Sequence, residues 1–178
     1  MATMTSVPLT ESEVDFLDKL IAGNRGRPGD LLGILEQAQE HSPRKFLSRE
    51  TLEYIAARTD TPLARVYSVV TFYAMFNLEP QGRNTVCVCR GTACHTRGSR
   101  ELLQSLMFKL GLHNPEEEPG EKLALTTSDG NYTVRTVACF GQCALAPVVE
   151  VNHEVYGHMN EQTLHRELKH LGREMAKQ

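Results

Sequence analysis

The 178-residue sequence lacks the excess of positive charge that a nucleic-acid-binding protein needs. Its formal net charge is −3, whereas a protein that neutralises phosphates presents a basic face. Apolar residues make up 40% of the chain and charged residues 23%, which are values of a globular protein with a packed core. We therefore expect proteins or small molecules as partners, and no nucleic acid.

The sequence also has little that would direct it to a membrane or out of the cell. Its first residues, MATMTSVPLTESEVDF, contain no basic segment followed by an apolar one, as a secretory signal would. The longest apolar-rich run, Val66–Phe76, is far shorter than the ~20 residues that span a bilayer. We therefore expect a soluble, cytoplasmic protein without direct membrane insertion. In that reducing compartment its five cysteines favour metal binding or catalysis over a disulfide framework.

Helical patterns fill the first half of the chain. Capping signals predict four helices, which begin near Thr10, Asp30, Ser48 and Thr61. Apolar residues follow each start at the three- and four-residue spacing of one helix face. We expect an N-terminal helical bundle over residues 1–82. Its aromatic end, Val69–Phe76 (VVTFYAMF), is interpreted as core or as a seat for the next domain.

From Arg83 onward the pattern changes to short β-branched runs. Strands are predicted at Thr85–Cys89, Leu123–Thr126, Tyr132–Val137, Val148–Val151 and Glu154–Tyr156. Ser128–Asn131 (SDGN) marks a hairpin, and the acidic segment His113–Glu121 is predicted to be a solvated loop. Two helices are predicted, capped by Ser99 and Asn160. Residues 83–178 are therefore expected to form a small sheet with helices against it, so that the fold class is α+β.

Four of the five cysteines form two pairs, each in a predicted turn after a strand. The pattern is C-x4-C, then 44 residues, then C-x3-C, and it comprises Cys89, Cys94, Cys139 and Cys143. Loops that leave strand ends can bring such pairs together, and four sulfur ligands favour zinc or an iron–sulfur cluster. Gly91 and Gly141 expose backbone N–H groups beside the sulfurs, an arrangement that stabilises the negative charge of a cluster.

Alternative chemistries for the cysteines fit the spacing less well. Structural zinc sites more often use C-x2-C knuckles and include histidine. His95 follows Cys94, but Rieske centres place two histidines on one iron, so we interpret His95 as a neighbour. Thiol redox catalysis uses C-x-x-C, which this chain lacks, and no local signature ties a histidine to a nucleophilic cysteine. On spacing alone, iron–sulfur, zinc and thiol chemistry stay open in that order.

Cys87 is the fifth cysteine. Residues two apart in a strand face the same side, so Cys87 is expected one step below Cys89, toward the packed face of the sheet. Free cysteine is among the most buried residue types, and we interpret Cys87 as a core thiol outside the ligand set. The rival register, which pairs Cys87 with Cys94, would leave six residues between them.

Two separated motifs and their lead-ins carry a resemblance that covers nearly the whole chain. They are PLARVYSVVTFYAMFNLEPQGRNTVCVC, CRGTACHTRGS and CFGQCALAPVVEVN. The chain resembles the thioredoxin-like 2Fe-2S ferredoxins that form the small iron–sulfur subunit of NADH:quinone oxidoreductase and of NAD(P)-linked soluble hydrogenases and formate dehydrogenases. This resemblance implies a thioredoxin-like second domain. It places the cluster ligands on Cys89, Cys94, Cys139 and Cys143, with Cys87 outside the pattern.

The resemblance also implies a function in electron transfer. A 2Fe-2S cluster would exchange one electron with a larger flavin-containing subunit, which the helical half is expected to bind. FMN and NAD(P) are expected on that partner, since no G-x-G-x-x-G follows a strand here. The motif CRGTACHTRGS favours a soluble hydrogenase as the parent complex, and electron-bifurcating hydrogenases are included in this expectation. The alternatives are NADH:quinone oxidoreductase, NAD-dependent formate dehydrogenase and, from another class, a zinc-stapled adaptor module.

Overall fold

The computed structural model describes residues 9–112 and 124–175. The predicted acidic loop His113–Glu121 and the first residue of the predicted strand Leu123–Thr126 lie outside these ranges. The chain divides into two compact units, Met1–Pro80 and Gln81–Gln178. None of the helices in the described ranges is long and apolar enough to cross a membrane.

The described part of the first unit contains four helices. They are α1 (Glu11–Asn24), α2 (Asp30–His41), α3 (Arg49–Arg58) and α4 (Leu63–Phe72). Each helix contributes one apolar face to a common core, whose fully buried members include Ile34, Leu35, Leu52, Ile55 and Val66. Burying side chains of this size stabilises the unit by roughly 1.5 to 3 kcal/mol each before entropy is subtracted. The predicted helical bundle is confirmed for these residues.

Three helix starts differ from their predicted caps. Asp30 does not cap α2; it is the first helical residue, and Gly29 precedes it with a left-handed φ of 76°. Gly98, with a φ of 94°, likewise precedes the helix that begins at Ser99. Glycine adopts this conformation without a Cβ penalty, so it can turn the chain into the helix one residue before the polar side chain. Pro62, rather than Thr61, is the residue before α4.

The predicted capping box at the start of α1 is confirmed. The Glu13 N–H donates to Thr10 Oγ1 (3.3 Å), and the Thr10 N–H donates to Glu13 Oε2 (2.8 Å). Thr10→Ala removes one of the two partners and is expected to lower the free energy of unfolding of the helical unit by about 1 kcal/mol. Denaturant titration followed by circular dichroism measures this loss, and Lys19→Ala on the exposed face of the same helix is the control. Equal stability of the two variants would contradict the assigned role.

The same capping box gives the helical unit a defined pH dependence. The Thr10 N–H and hydroxyl, which donate to the carboxylate, hold the pKa of Glu13 below its ordinary value. This contribution is complete above the ordinary pKa of glutamate and is lost as the pH falls through the lowered one. Glu13→Gln, which does not titrate, should therefore be less stable than the wild type at neutral pH and approach it in acid. Denaturant titrations at neutral and acidic pH measure the difference.

The aromatic end of the first unit is split between core and surface. Phe76 is buried, as one of the two interpretations expected, whereas Phe72 is 79% exposed, and Tyr73 and Met75 are exposed to a lesser degree. Helix α4 ends at Phe72, and Tyr73 is its extended C-cap residue. The T-shaped contacts of Tyr73 with Phe72 and Phe76 hold the three rings together at this end.

The second unit is built on a five-stranded mixed sheet in the described residues. Its strands are β1 (Asn84–Cys89), β2 (Ala124–Thr126), β3 (Tyr132–Val137), β4 (Val149–Val151) and β5 (Glu154–Tyr156), in the order β2-β3-β1-β4-β5. Its helices are α5 (Thr92–His95), α6 (Ser99–Lys109) and α7 (Glu161–Met175). Strands β1 and β3 and helices α6 and α7 share a buried cluster that contains Val86, Val88, Leu106, Val134 and Leu164. The predicted α+β class with a small mixed sheet is confirmed.

Strand pairing places the loops that carry the cysteines. β1 and β3 are parallel, with Cys89 opposite Val137, whereas β2, β4 and β5 pair antiparallel to their neighbours. The carboxyl ends of two parallel strands lie at the same edge of a sheet. The loops that follow Cys89 and Val137 therefore leave the sheet side by side.

Candidate metal centre

Two neighbouring loops bring four cysteines to one edge of the sheet. Cys89 ends β1 and Cys94 lies on the short helix α5, and each is only 2% exposed. Cys139 follows β3, and Cys143 opens a 3-10 turn over Cys143–Leu145; both are exposed. We call Cys89 and Cys94 the inner pair, and Cys139 and Cys143 the outer pair. The sequence predicted the turns but not α5, whose four residues are too few to show a helical period.

The sulfur atoms of the outer pair have the spacing of two ligands on one metal ion. Cys139 Sγ lies 3.8 Å from Cys143 Sγ. Two thiolates about 2.3 Å from a tetrahedral metal ion stand about 3.8 Å apart. The outer pair is therefore already arranged to hold one metal ion without rearrangement of its loop.

Cys89 links the two pairs. Its thiol lies close enough to both pairs to affect the pKa of Cys94, in the inner pair, and the pKa of Cys139, in the outer pair. In the described part of the chain, no three histidine, cysteine, aspartate or glutamate side chains are grouped so that they could hold one metal ion. The four cysteines stand as two pairs, and two irons with two thiolates each are the donor arrangement of a 2Fe-2S cluster. The residues present therefore fit that group.

Two glycines allow the loops to approach the sulfur atoms. A Cβ on Gly91 would lie 3.1 Å from the Ala138 carbonyl oxygen and 3.4 Å from Cys139 Sγ, so the inner loop packs directly on the outer one. Gly141, with a φ of 79°, donates its N–H to Cys139 Sγ at 3.2 Å. This hydrogen bond lowers the pKa of Cys139 and favours the thiolate. The prediction that a loop glycine presents its N–H to sulfur is confirmed for Gly141.

The two pairs differ in their contact with solvent. The inner pair packs with Ala146 and Val148 in a small apolar cluster, against which Phe140 also lies. Burial is the main cause that raises the pKa of Cys94, because a thiolate loses hydration there. The pKa of Cys143 is also raised, chiefly by its hydrogen bond with Cys139. A metal group held by all four sulfurs would thus be shielded on one side and open on the other.

The sequence predicted that Cys87 is a core thiol, but Cys87 does not lie in the core. The packed face of β1 carries Val86 and Val88, so strand alternation turns Cys87 to the opposite face, where it is half-buried. Arg135 and Glu150 stand opposite it on the neighbouring strands. Burial, together with the charge of Glu150, raises the pKa of Cys87 to about 11. The prediction went wrong because Cys89 is buried by the ligand loops and not by the packed face of the sheet.

Three further residues lie around the loops, and of these only His95 had a signal in the sequence. His95 is exposed on α5, and its backbone N–H donates to the Gly91 carbonyl (2.9 Å) within the inner loop. Arg97 and Gly157 contact the outer loop although they are distant from it in sequence. Such contacts arise from the tertiary fold, so no local spacing could have revealed them.

Comparison with known proteins shows a consistent set of similarities. The family model for the thioredoxin-like [2Fe-2S] ferredoxin matches residues 17–172. The NADP-reducing hydrogenase subunit HndA of Solidesulfovibrio fructosivorans is 33% identical over 152 residues, which are 85% of this chain and 80% of that protein. A subunit of the NADH-quinone oxidoreductase of Rickettsia typhi is 35% identical over 136 residues, which are 76% of this chain and 74% of that protein.

A solved structure shares the fold at low sequence identity. It is an NAD+-reducing [NiFe]-hydrogenase in the air-oxidised state, with a TM-score of 0.65 and 20% identity. The match covers 83% of this chain but only 23% of the hydrogenase chain. At this identity the likeness concerns the fold alone.

Proposed function

Since the chain belongs to the thioredoxin-like [2Fe-2S] ferredoxin family, we propose that it is a one-electron carrier subunit that holds its 2Fe-2S cluster with Cys89, Cys94, Cys139 and Cys143. The observation that carries this proposal is the meeting of the inner and outer pairs at one sheet edge, where Gly91 of the inner loop packs against Cys139. When bound, the cluster accepts or releases one electron. Cys87 stands outside the proposed ligand set.

The residues around the four cysteines determine the solvent access and the charge of the proposed cluster site. The apolar packing of Cys89 and Cys94 excludes water from one side, and the Gly141 N–H favours the charged form of Cys139. The exposed outer pair, with Leu145 41% exposed beside it, is the side on which a redox partner can approach. Electron exchange is therefore assigned to the outer pair, because a shorter distance to the partner favours it.

The proposed setting is a cytoplasmic complex of several subunits. Relatives at 33% and 35% identity are named as subunits of an NADP-reducing hydrogenase and of NADH-quinone oxidoreductase. They support the proposal of an iron–sulfur subunit that lies next to a flavin-containing, NAD(P)-linked subunit. We propose that the complex to which this subunit belongs is a hydrogenase. The motif CRGTACHTRGS supports this choice, as does the hydrogenase relative, whose match covers 85% of this chain. The quinone-oxidoreductase relatives support the alternative equally directly.

The two domains predicted from the sequence are proposed to have separate functions. Residues 1–82 form the helical domain that contacts the flavin-containing subunit, and residues 83–178 form the domain that binds the cluster. The cysteines of the proposed ligand set all lie in the second of these domains. Co-purification from a native extract, with identification of the companion subunits, distinguishes a hydrogenase from a quinone oxidoreductase.

Metal analysis and electron paramagnetic resonance (EPR) test the proposed cofactor. The protein purified without oxygen is expected to contain two irons and two sulfides per chain and to be EPR-silent. Dithionite should add one electron and produce a signal of one spin per chain. A colourless protein with one zinc and no iron would contradict the proposal and favour the zinc-stapled adaptor module.

A further inference from the structure

The segment that follows Cys143 is fastened by its carbonyl groups. Four consecutive carbonyl oxygens accept hydrogen bonds from donors outside the segment. The pairs are Leu145 O with His158 N (2.7 Å), Ala146 O with Arg97 Nη1 (3.3 Å), Pro147 O with Met159 N (3.0 Å) and Val148 O with Cys89 N (3.1 Å). Three separate parts of the chain therefore hold the outer loop immediately after its last cysteine.

Gly157 lets one of these parts approach the outer loop. A Cβ at this position would lie 2.7 Å from Leu145 Cβ and 3.1 Å from the Leu145 carbonyl oxygen. The first distance is shorter than carbon atoms tolerate without displacement, so a larger residue must push the 3-10 turn away. The next residue, His158, has a left-handed φ of 51°, a conformation that a residue with a side chain rarely adopts. His158 keeps this strained conformation at the position where its N–H donates to the Leu145 carbonyl oxygen.

Arg97 connects the outer loop to the inner one. Its backbone N–H donates to the Cys94 carbonyl (3.1 Å), while its guanidinium donates to the Ala146 carbonyl (3.3 Å). One residue thus has a fixed position relative to a cysteine of the inner pair and to the segment after Cys143. Arg97 is otherwise exposed, so this contact joins the two loops at the protein surface.

We propose that Gly157 and Arg97 are positioning residues that fix Cys143 relative to the inner pair. Neither residue is a ligand; each acts through the backbone of residues 145–146. This inference rests on the proposed ligand set, because it assigns the two residues a role only if Cys143 binds the cluster. Partners that orient ligands in this way typically change metal affinity about 10- to 100-fold when they are altered.

Gly157→Ala tests the first contact in the full-length protein. The matched control is Gly172→Ala on α7, where an added Cβ would meet only Tyr132 Oη at an ordinary 3.8 Å. We expect Gly157→Ala to lose iron to a chelator about 10-fold faster or more. Its reduced form should also show shifted EPR g-values and a shifted midpoint potential, which a change in overall stability alone would not produce. Gly172→Ala should match the wild type in all three measurements.

Arg97→Met tests the second contact, with Arg97→Lys as the conservative variant. Arg97→Met should release iron faster and shift the EPR spectrum, and Arg97→Lys should recover part of the effect because it keeps a donor and the charge. If Gly157→Ala does not accumulate, Leu145→Gly replaces it. This variant removes the Leu145 Cβ that faces Gly157 and loosens the backbone of the 3-10 turn, and it creates no overlap.

The outcomes separate this inference from the proposed function. The inference would be overturned, and the proposed function left intact, by the following combination of results. The wild-type protein holds two irons, and both Arg97→Met and Gly157→Ala (or its replacement) release iron and give EPR spectra as the wild type does. A wild-type protein without iron would overturn the proposed function itself. Faster iron release with altered spectra in both variants, and not in Gly172→Ala, would support the positioning role.

Discussion

Cys89→Ser, Cys94→Ser, Cys139→Ser and Cys143→Ser are each expected to remove most of the bound iron or to alter its spectrum, whereas Cys87→Ser should keep both near the wild type. Iron is held by thiolates, and a serine hydroxyl is a harder donor that rarely ionises at neutral pH. Cys87 lies half-buried between Arg135 and Glu150, on neither of the loops that carry the pairs. The five variants therefore separate the ligands from the remaining thiol.

Iron and sulfide per chain, visible absorption and EPR of the reduced protein measure this prediction. Cys87→Ser is the matched control, because it makes the same chemical change two residues from a proposed ligand. Loss of the cluster in Cys87→Ser with retention in Cys89→Ser would show that the ligand register begins at Cys87. Wild-type iron content and wild-type spectra in all five variants would contradict the proposed ligand set.

Leu106→Ala is expected to destabilise the second unit by about 2 to 5 kcal/mol. Leu106 is completely buried on α6 and belongs to the cluster that contains Val86 and Leu164. Its truncation removes apolar contacts and leaves a cavity that the neighbouring side chains fill only in part. Phe108→Ala is the control on the same helix, because Phe108 is 82% exposed; its effect should stay within about 0.5 kcal/mol.

Hydrogen exchange, followed by mass spectrometry, measures the effect of Leu106→Ala in the second unit alone. The amides of β1 and β3 should exchange about 30-fold faster or more, since each ~1.4 kcal/mol changes the opening equilibrium tenfold. Exchange in α1 to α4 serves as the internal reference. Equal exchange of β1 in Leu106→Ala and Phe108→Ala would mean that α6 does not stabilise the sheet.

The sequence predicted well those features that depend on neighbouring residues. The capping box at Thr10, the β-branched run up to Cys89 and the apolar stripe of α7 are local patterns, and each appears in the structure. Asn160 also caps α7 as predicted, since its Oδ1 accepts the Thr163 N–H at 3.0 Å. A local pattern survives because its energetic cause lies within a few residues.

Features that depend on distant residues were not predictable. The face of Cys87 is set by which side of the sheet receives α6 and α7, and the sequence near Cys87 does not contain that information. The contrast between the buried inner pair and the exposed outer pair likewise follows from the packing of Ala146 and Val148. The family resemblance located the four proposed ligands but said nothing of Arg97 or Gly157.

The parallel pairing of β1 with β3 makes the site independent of the chain that connects them. Both strands are held in register over six residue pairs, from Asn84 with Tyr132 to Cys89 with Val137. None of the four proposed ligands lies between Thr96 and Val137. Evolution, or an engineer, can therefore lengthen or shorten the connection after Lys109 while the sulfur positions stay fixed.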